Sequence, residues 1–196
     1  MTLLKSTRIL LAAIASVALI AGCSQKDGGQ ATPQSGAGTA TSGTSAAPNE
    51  PQVGLSKFAS DPCALLKADQ LTSLGSFKAP RKDASSVGQR CTWSAQDVIK
   101  GAAYSVVVKT NTDTFEQVAE NSKGVPVYKR TTVASYPAVS SDQTTGKGNC
   151  TTAVGVSSKE VFYAQISIEN TAAPEYQDSC AATEKVAALV VQNLKG

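Results

Sequence analysis

Two runs near the C-terminal end of the chain alternate: Cys150, Thr152, Val154 and Val156, then Phe162, Ala164, Ile166 and Ile168, place an apolar or small side chain at every second position. Successive side chains of a strand point to opposite faces, so each run predicts a strand with one buried face. Only Ser157-Ser158-Lys159-Glu160 separates them, a hairpin-length connection that makes the two strands antiparallel neighbours. A lone hairpin with one apolar face is not independently stable; it needs further strands and a covering layer. Residues 56–196 must supply both.

Asp61 as N-cap and Pro62 at the first helical position, followed by Leu65, Leu66, Leu71 and Leu74 and then Gly75, predict an amphipathic helix over 62–74. The polar, basic segment 76–89, with Pro80, Arg81, Lys82 and Gly88, predicts a loop. Arg90–Ser94 and Ala103–Lys109 are rich in β-branched and aromatic residues and flank a turn at 97–101, so they predict two adjacent strands. Asp113 with Glu116 three residues on gives a capping-box-like start to a second helix bearing Phe115, Val118 and Ala119, stopped by Gly124 and Pro126. Residues 125–133 and 134–140 hold two short runs of strand formers, among them Val127, Tyr128, Val133 and Val139, and Gly146-Lys147-Gly148-Asn149 is a turn signal. Cys180, Thr183, Ala187, Val190 and Leu194 share one stripe of a last helix over 175–194, with Pro174 before it and Gly196 beyond it. The order predicts an α+β domain, a mainly antiparallel sheet of about five or six strands packed with two or three helices.

Four cysteines lie in this domain, at 63, 91, 150 and 180. An even number suits two disulfides in an oxidising compartment, and three connectivities are possible. Pairing Cys63 with Cys91 and Cys150 with Cys180 is the expectation, because each bond then staples a helix to a strand. Each closes a loop of about 30 residues, worth roughly 3–4 kcal/mol in the chain-entropy model. A zinc site is disfavoured by the lack of any histidine and of C-x-x-C spacing.

The N-terminal end supplies the compartment. Lys5 and Arg8 precede an uncharged run from Ile9 to Ala21, the two parts of a secretory signal. The run is shorter than the roughly 18–20 residues of a membrane-spanning helix. Leu19-Ile20-Ala21-Gly22-Cys23 resembles the lipobox of bacterial lipoproteins. That resemblance implies a diacylglyceryl group on the Cys23 sulfur, cleavage before Cys23, and acylation of the new amino terminus. Several acyl chains anchor firmly, at about 0.8 kcal/mol per buried methylene. Residues 1–22 are thus expected to be a signal peptide, and the protein to sit on the extracytoplasmic face of the cell membrane. Residues 23–55, from Ser24 on mostly Gly, Ser, Thr, Ala, Gln and Pro, bury too little to offset the entropy of ordering and predict a tether, with a reach on the order of 30 Å. Loss of Lys5 and Arg8 brings the Lys+Arg count from 18 to 16 against 15 acids, and a nearly neutral chain gives no support for nucleic-acid binding.

Catalytic constellations are sparse. The absence of histidine removes the commonest general base and the usual triads. Glu116 with Glu120, and Glu169 with Glu175 and Asp178, are carboxylate candidates, although charges on an amphipathic helix usually form its wet face. Gly146-Lys147-Gly148 lacks phosphate-loop spacing, and Ser158-Lys159, half of a Ser/Lys dyad, falls in a predicted turn. Trp93, two residues after Cys91, fits core packing better than a ligand platform. Lys78, Arg81, Lys82 and Arg90 form a dispersed basic stretch suited to solubility or to anionic headgroups and wall polymers.

Asp61-Pro62-Cys63-Ala64-Leu65-Leu66 with Ala68-Asp69-Gln70-Leu71, then Arg90-Cys91-Thr92-Trp93, Tyr136-Pro137-Ala138-Val139, Cys150 with its Val-rich strand and Cys180 before a terminal helix resemble, in that order, the DUF3558 family of actinobacterial lipoproteins. The resemblance covers about 56–196 and implies location and fold; the family has no established activity. The function expected is therefore that of a lipid-anchored, non-enzymatic envelope protein, monomeric in its domain and without a cofactor, binding a partner protein, a wall component or a small apolar ligand between sheet and helix. A carboxylate-dependent hydrolase or transferase and a purely structural surface protein are the alternatives.

Overall fold

The computed structural model describes residues 53–110 and 113–196; Cys23, the expected signal peptide and nearly all of the expected tether lie outside the described residues. Strands β1 (Arg81–Ser85), β2 (Gly88–Trp93), β3 (Ala103–Thr110), β4 (Val127–Val133), β5 (Tyr136–Asp142), β6 (Asn149–Ser157) and β7 (Glu160–Ser167) form one sheet in the order β1-β2-β3-β7-β6-β5-β4. Every adjacent pair is antiparallel. Two meanders, β1 to β3 and β4 to β7, are thus joined side by side through β3 and β7. Around the sheet lie helices α1 (Ala68–Leu74), α2 (Phe115–Asn121), α3 (Pro174–Gln177) and α4 (Ser179–Lys195).

The α+β class and the antiparallel sheet hold, while the counts are corrected: among the described residues there are seven strands and four α-helices. Residues 76–89, expected as a loop, contain the edge strand β1, whose residues are mostly exposed. Charged side chains are what a solvent-facing edge carries to discourage edge-to-edge pairing, and they disguise it as loop. Where β2 leaves the β1–β2 turn, position 88 requires glycine, since a Cβ there would lie 2.1 Å from the Val108 carbonyl oxygen. The helix expected over 62–74 is broken: a 3-10 turn, Pro62–Leu65, is followed by Leu66 in extended conformation before α1 starts. The second helix starts one residue later than expected, with Thr114 Oγ1 accepting from the Gln117 amide and Gln117 Oε1 accepting from the Thr114 amide. The last helix divides at Asp178, whose carboxylate accepts from the Ala181 amide and caps α4. Val53 and Leu55, within the expected tether, pack in the core.

One sheet face carries the main core. Val186, Ala187, Val190, Val191 and Leu194 of α4 are buried with Trp93, Val106, Val154 and Phe162, each large side chain contributing on the order of 1.5–3 kcal/mol. Both disulfides staple this layer: Cys63 of the 3-10 turn to Cys91 of β2, and Cys150 of β6 to Cys180 of α4. Beside the second, Ser140, Thr152 and Thr183 are fully buried hydroxyl residues. They satisfy one another: Ser140 Oγ to Thr152 Oγ1 at 2.9 Å, Thr152 Oγ1 to Thr183 Oγ1 at 2.7 Å, and Thr183 Oγ1 donating to the Cys180 carbonyl. The opposite face holds a smaller cluster, Phe115, Val118 and Ala119 of α2 on Val139, Ala153 and Val161. Helix α2 covers only half of that face.

Candidate functional site

The uncovered half of the second face has an unusual composition, and strand register explains how it is assembled. The positions between the buried ones point to the other side of each strand. Pairing aligns Arg81 with Thr92, Thr92 with Ser105, Ser105 with Gln165, Gln165 with Thr151, Thr151 with Ser141, and Ser141 with Tyr128. Each of the seven strands therefore contributes one polar side chain to a single row running across the sheet. A parallel row beside it brings together Ala103, Ser167 and Asn149.

A pocket of about 390 Å³ lies over these rows, within the roughly 300–1,000 Å³ typical of small-molecule sites. Thr92, Ser105, Gln165, Thr151 and Ser141 line it along the first row, Ser167 and Asn149 along the second, and Arg90, Val125, Asp142 and Gln143 bound it. The five first-row residues on the lining are half-buried, whereas Ser167 and Asn149 are exposed, so the row faces the pocket without being sealed from water.

Within the row the central glutamine is held on both sides. Ser105 Oγ donates to Gln165 Oε1 at 3.0 Å, and Gln165 Nε2 donates to Thr151 Oγ1 at 3.4 Å. This leaves the Thr151 hydroxyl proton and the second Gln165 amide proton to face the pocket. Thr92 and Ser141 make no side-chain hydrogen bond among the described residues, so their hydroxyl groups are also available to a ligand. At the end of the row the Tyr128 hydroxyl is buried and lacks a hydrogen-bond partner among the described residues.

The site is electrically almost balanced. Arg90 donates through Nε to Asp83 at 2.8 Å. That bond holds the Asp83 carboxyl below its ordinary range and raises the already high Arg90 pKa. At the other wall burial alone would raise Asp142, but hydrogen bonds from the Gly146 and Thr144 amides and from the Thr144 hydroxyl outweigh it and lower its pKa. Asp142 Oδ1 is therefore engaged by its own loop. Tyr104 borders the pocket through its backbone, while its side chain is buried in the main core on the other face, where burial, with the Glu175 charge adding to the effect, pushes its hydroxyl up to about 12.

The structure disperses the catalytic candidates. Glu116 forms an ion pair with Arg130, and Glu120 one with Lys123. Asp178 is a helix cap, while Ser158 and Lys159 occupy the exposed β6–β7 turn. Gly146, Lys147 and Gly148 belong to the β5–β6 loop, where Gly148 is packed on Tyr176. Trp93 is 1 % exposed and lies in the core. Of the basic stretch, Arg81 and Lys82 form surface ion pairs with Asp83 and Asp61, and Arg90 alone reaches the pocket. Among the described residues no group of three or more His, Cys, Asp or Glu side chains is placed to hold a metal, and no helix is long and apolar enough to cross a membrane.

The row itself escaped sequence reasoning, although the basic stretch includes Arg81 at its β1 end and Arg90 at the pocket wall. Alternation identified the polar faces of β6 and β7, but only the pairing of β3 with β7, more than fifty residues apart, joins them to β2 and β3.

Compared with known proteins, the chain matches the model of one family, described as Protein of unknown function (DUF3558), over residues 18–193. No curated protein and no solved structure matches.

Proposed function

We propose that this chain, which belongs to the DUF3558 family, is a non-enzymatic binding protein of the cell envelope. It is held by lipid at Cys23 on the outer face of the membrane and meets its ligand on the open half of the sheet. One observation carries the binding reading: five adjacent strands, β2, β3, β7, β6 and β5, set a half-buried row of hydroxyl and amide groups along the floor of one pocket. A polar sheet face is by itself ordinary. Here α2 walls off half of that face, Arg90 and the β5–β6 loop bound the remainder, and several row groups keep unused hydrogen-bonding capacity.

The location of the pocket favours the same reading. Leu55 and Ser56 amides donate to the Glu160 carboxylate at the start of β7, whereas the pocket is lined by the end of β7 at Gln165 and Ser167. Residues 55 and 56 thus meet one end of the sheet, and the pocket lies toward the other. The space between sheet and α4 is filled by Val186, Val190 and Val191, so the ligand is assigned to the opposite face.

The test is hydrogen exchange on the full chain in detergent, with and without a solubilised extract of its own cell envelope. Slowed exchange confined to residues 90–92, 103–105, 149–151 and 165–167 is expected. Unchanged exchange there, or protection only elsewhere, would reject the site.

A further inference from the structure

We propose that the ligand of this pocket is a neutral saccharide chain lying across the strands, an inference that rests on the binding site argued above and names its chemistry. Charge makes the first selection. Among the described residues Arg90 is the one cation on the lining, with its Nε already bonded to Asp83, and Asp142 gives Oδ1 to three bonds from its own loop. A polyanion would find a single cation that is already paired, and a cationic ligand a single carboxylate that its loop already stabilises. Polarity makes the second: Val125 and Ala103 are too little aliphatic surface to hold an acyl chain, and an apolar guest would strand the row's polar groups.

What remains is a ligand whose own groups both donate and accept. Hydroxyl and carboxamide side chains do so, and a sugar hydroxyl is their natural complement. The row gives such a ligand order as well as polarity. Its members repeat at the strand separation of about 4.8 Å, close to the length of one pyranose unit. Successive sugar units would therefore meet successive strands. Gln165 is fixed at the centre, its amide orientation set by Ser105 on one side and Thr151 on the other. A ligand finds that amide preorganised, which reduces the entropy lost on binding.

Calorimetric titration of the full chain in detergent provides the test, with maltotriose, N-acetylated chitotriose and an arabinose trimer as neutral probes and trigalacturonate as the charged comparator. At least one neutral trimer should bind, and slow exchange in the four pocket segments. Thr92→Val and Gln165→Leu should each weaken it tenfold or more with unchanged thermal unfolding; Thr132→Val, on the outer strand β4, should leave it unaltered. Loss of binding in Thr132→Val, or full binding in both pocket variants, would overturn the assignment. Protection of the pocket by envelope extract or trigalacturonate, with none from any neutral trimer, would overturn the saccharide but keep the site. Silence from all of them would end both.

Discussion

Gly155 shows how closely one residue sets the shape of the candidate site. It lies on β6 beneath α2, and a Cβ built there would come within 2.5 Å of Phe115 Cβ and 2.9 Å of its Cγ. Those atoms are the root of a packed side chain rather than its flexible end, so the helix would have to move. Gly155→Ala is expected to cost about 1–3 kcal/mol, the usual range for overpacking, and to speed hydrogen exchange in residues 115–121 while sparing α4. Urea unfolding and exchange measure the two; an unchanged midpoint with α2 still protected would contradict the packing account. This contact was not legible in the sequence, because Phe115 and Gly155 are neighbours only after α2 has crossed the sheet. Ser105 and Gln165 are a similar case. Each reads as a wet strand residue, and their hydrogen bond exists because β3 and β7 pair.

The elements were more legible than their edges. Alternation in β6 and β7 stated the strands, the turn between them and the buried face, since period-two burial needs no knowledge of the partner. β1 was lost because an exposed edge strand carries the charges of a loop, and the helix over 62–74 was over-extended because Leu65 and Leu66, both buried, satisfy helical spacing equally well when the chain turns extended between them. Helix α4 depends on a covalent and a polar tie to β6, the Cys150–Cys180 bond and the Thr152–Thr183 hydroxyl pair. The bond spans 30 residues. Replacing both cysteines by alanine should lower stability by about 3–4 kcal/mol on the chain-entropy scale, read as a shift of the urea midpoint. A loss below about 1 kcal/mol would show that α4 is held by its apolar face alone.

At the scale of the whole molecule, two parts are proposed, a lipid anchor at Cys23 and a polar pocket on one face of the sheet. The two parts separate experimentally. Cys23→Ser should release or misprocess the protein and abolish lipid labelling, while near-UV circular dichroism of the domain is unchanged; retention in the membrane fraction with lipid still attached would refute the anchor. The anchor proposed at Cys23 rests on a local signal, a short apolar run followed by small residues. The same holds for the α+β class, the alternating strands and the four domain cysteines, all properties of nearest neighbours along the chain. Which strands would lie side by side, which half of the second face α2 would leave open, and that Thr92, Ser105, Gln165, Thr151 and Ser141 would fall into one row were decided by tertiary structure. Periodicity specifies the face to which a side chain points, whereas its neighbour across the sheet is selected by long-range packing.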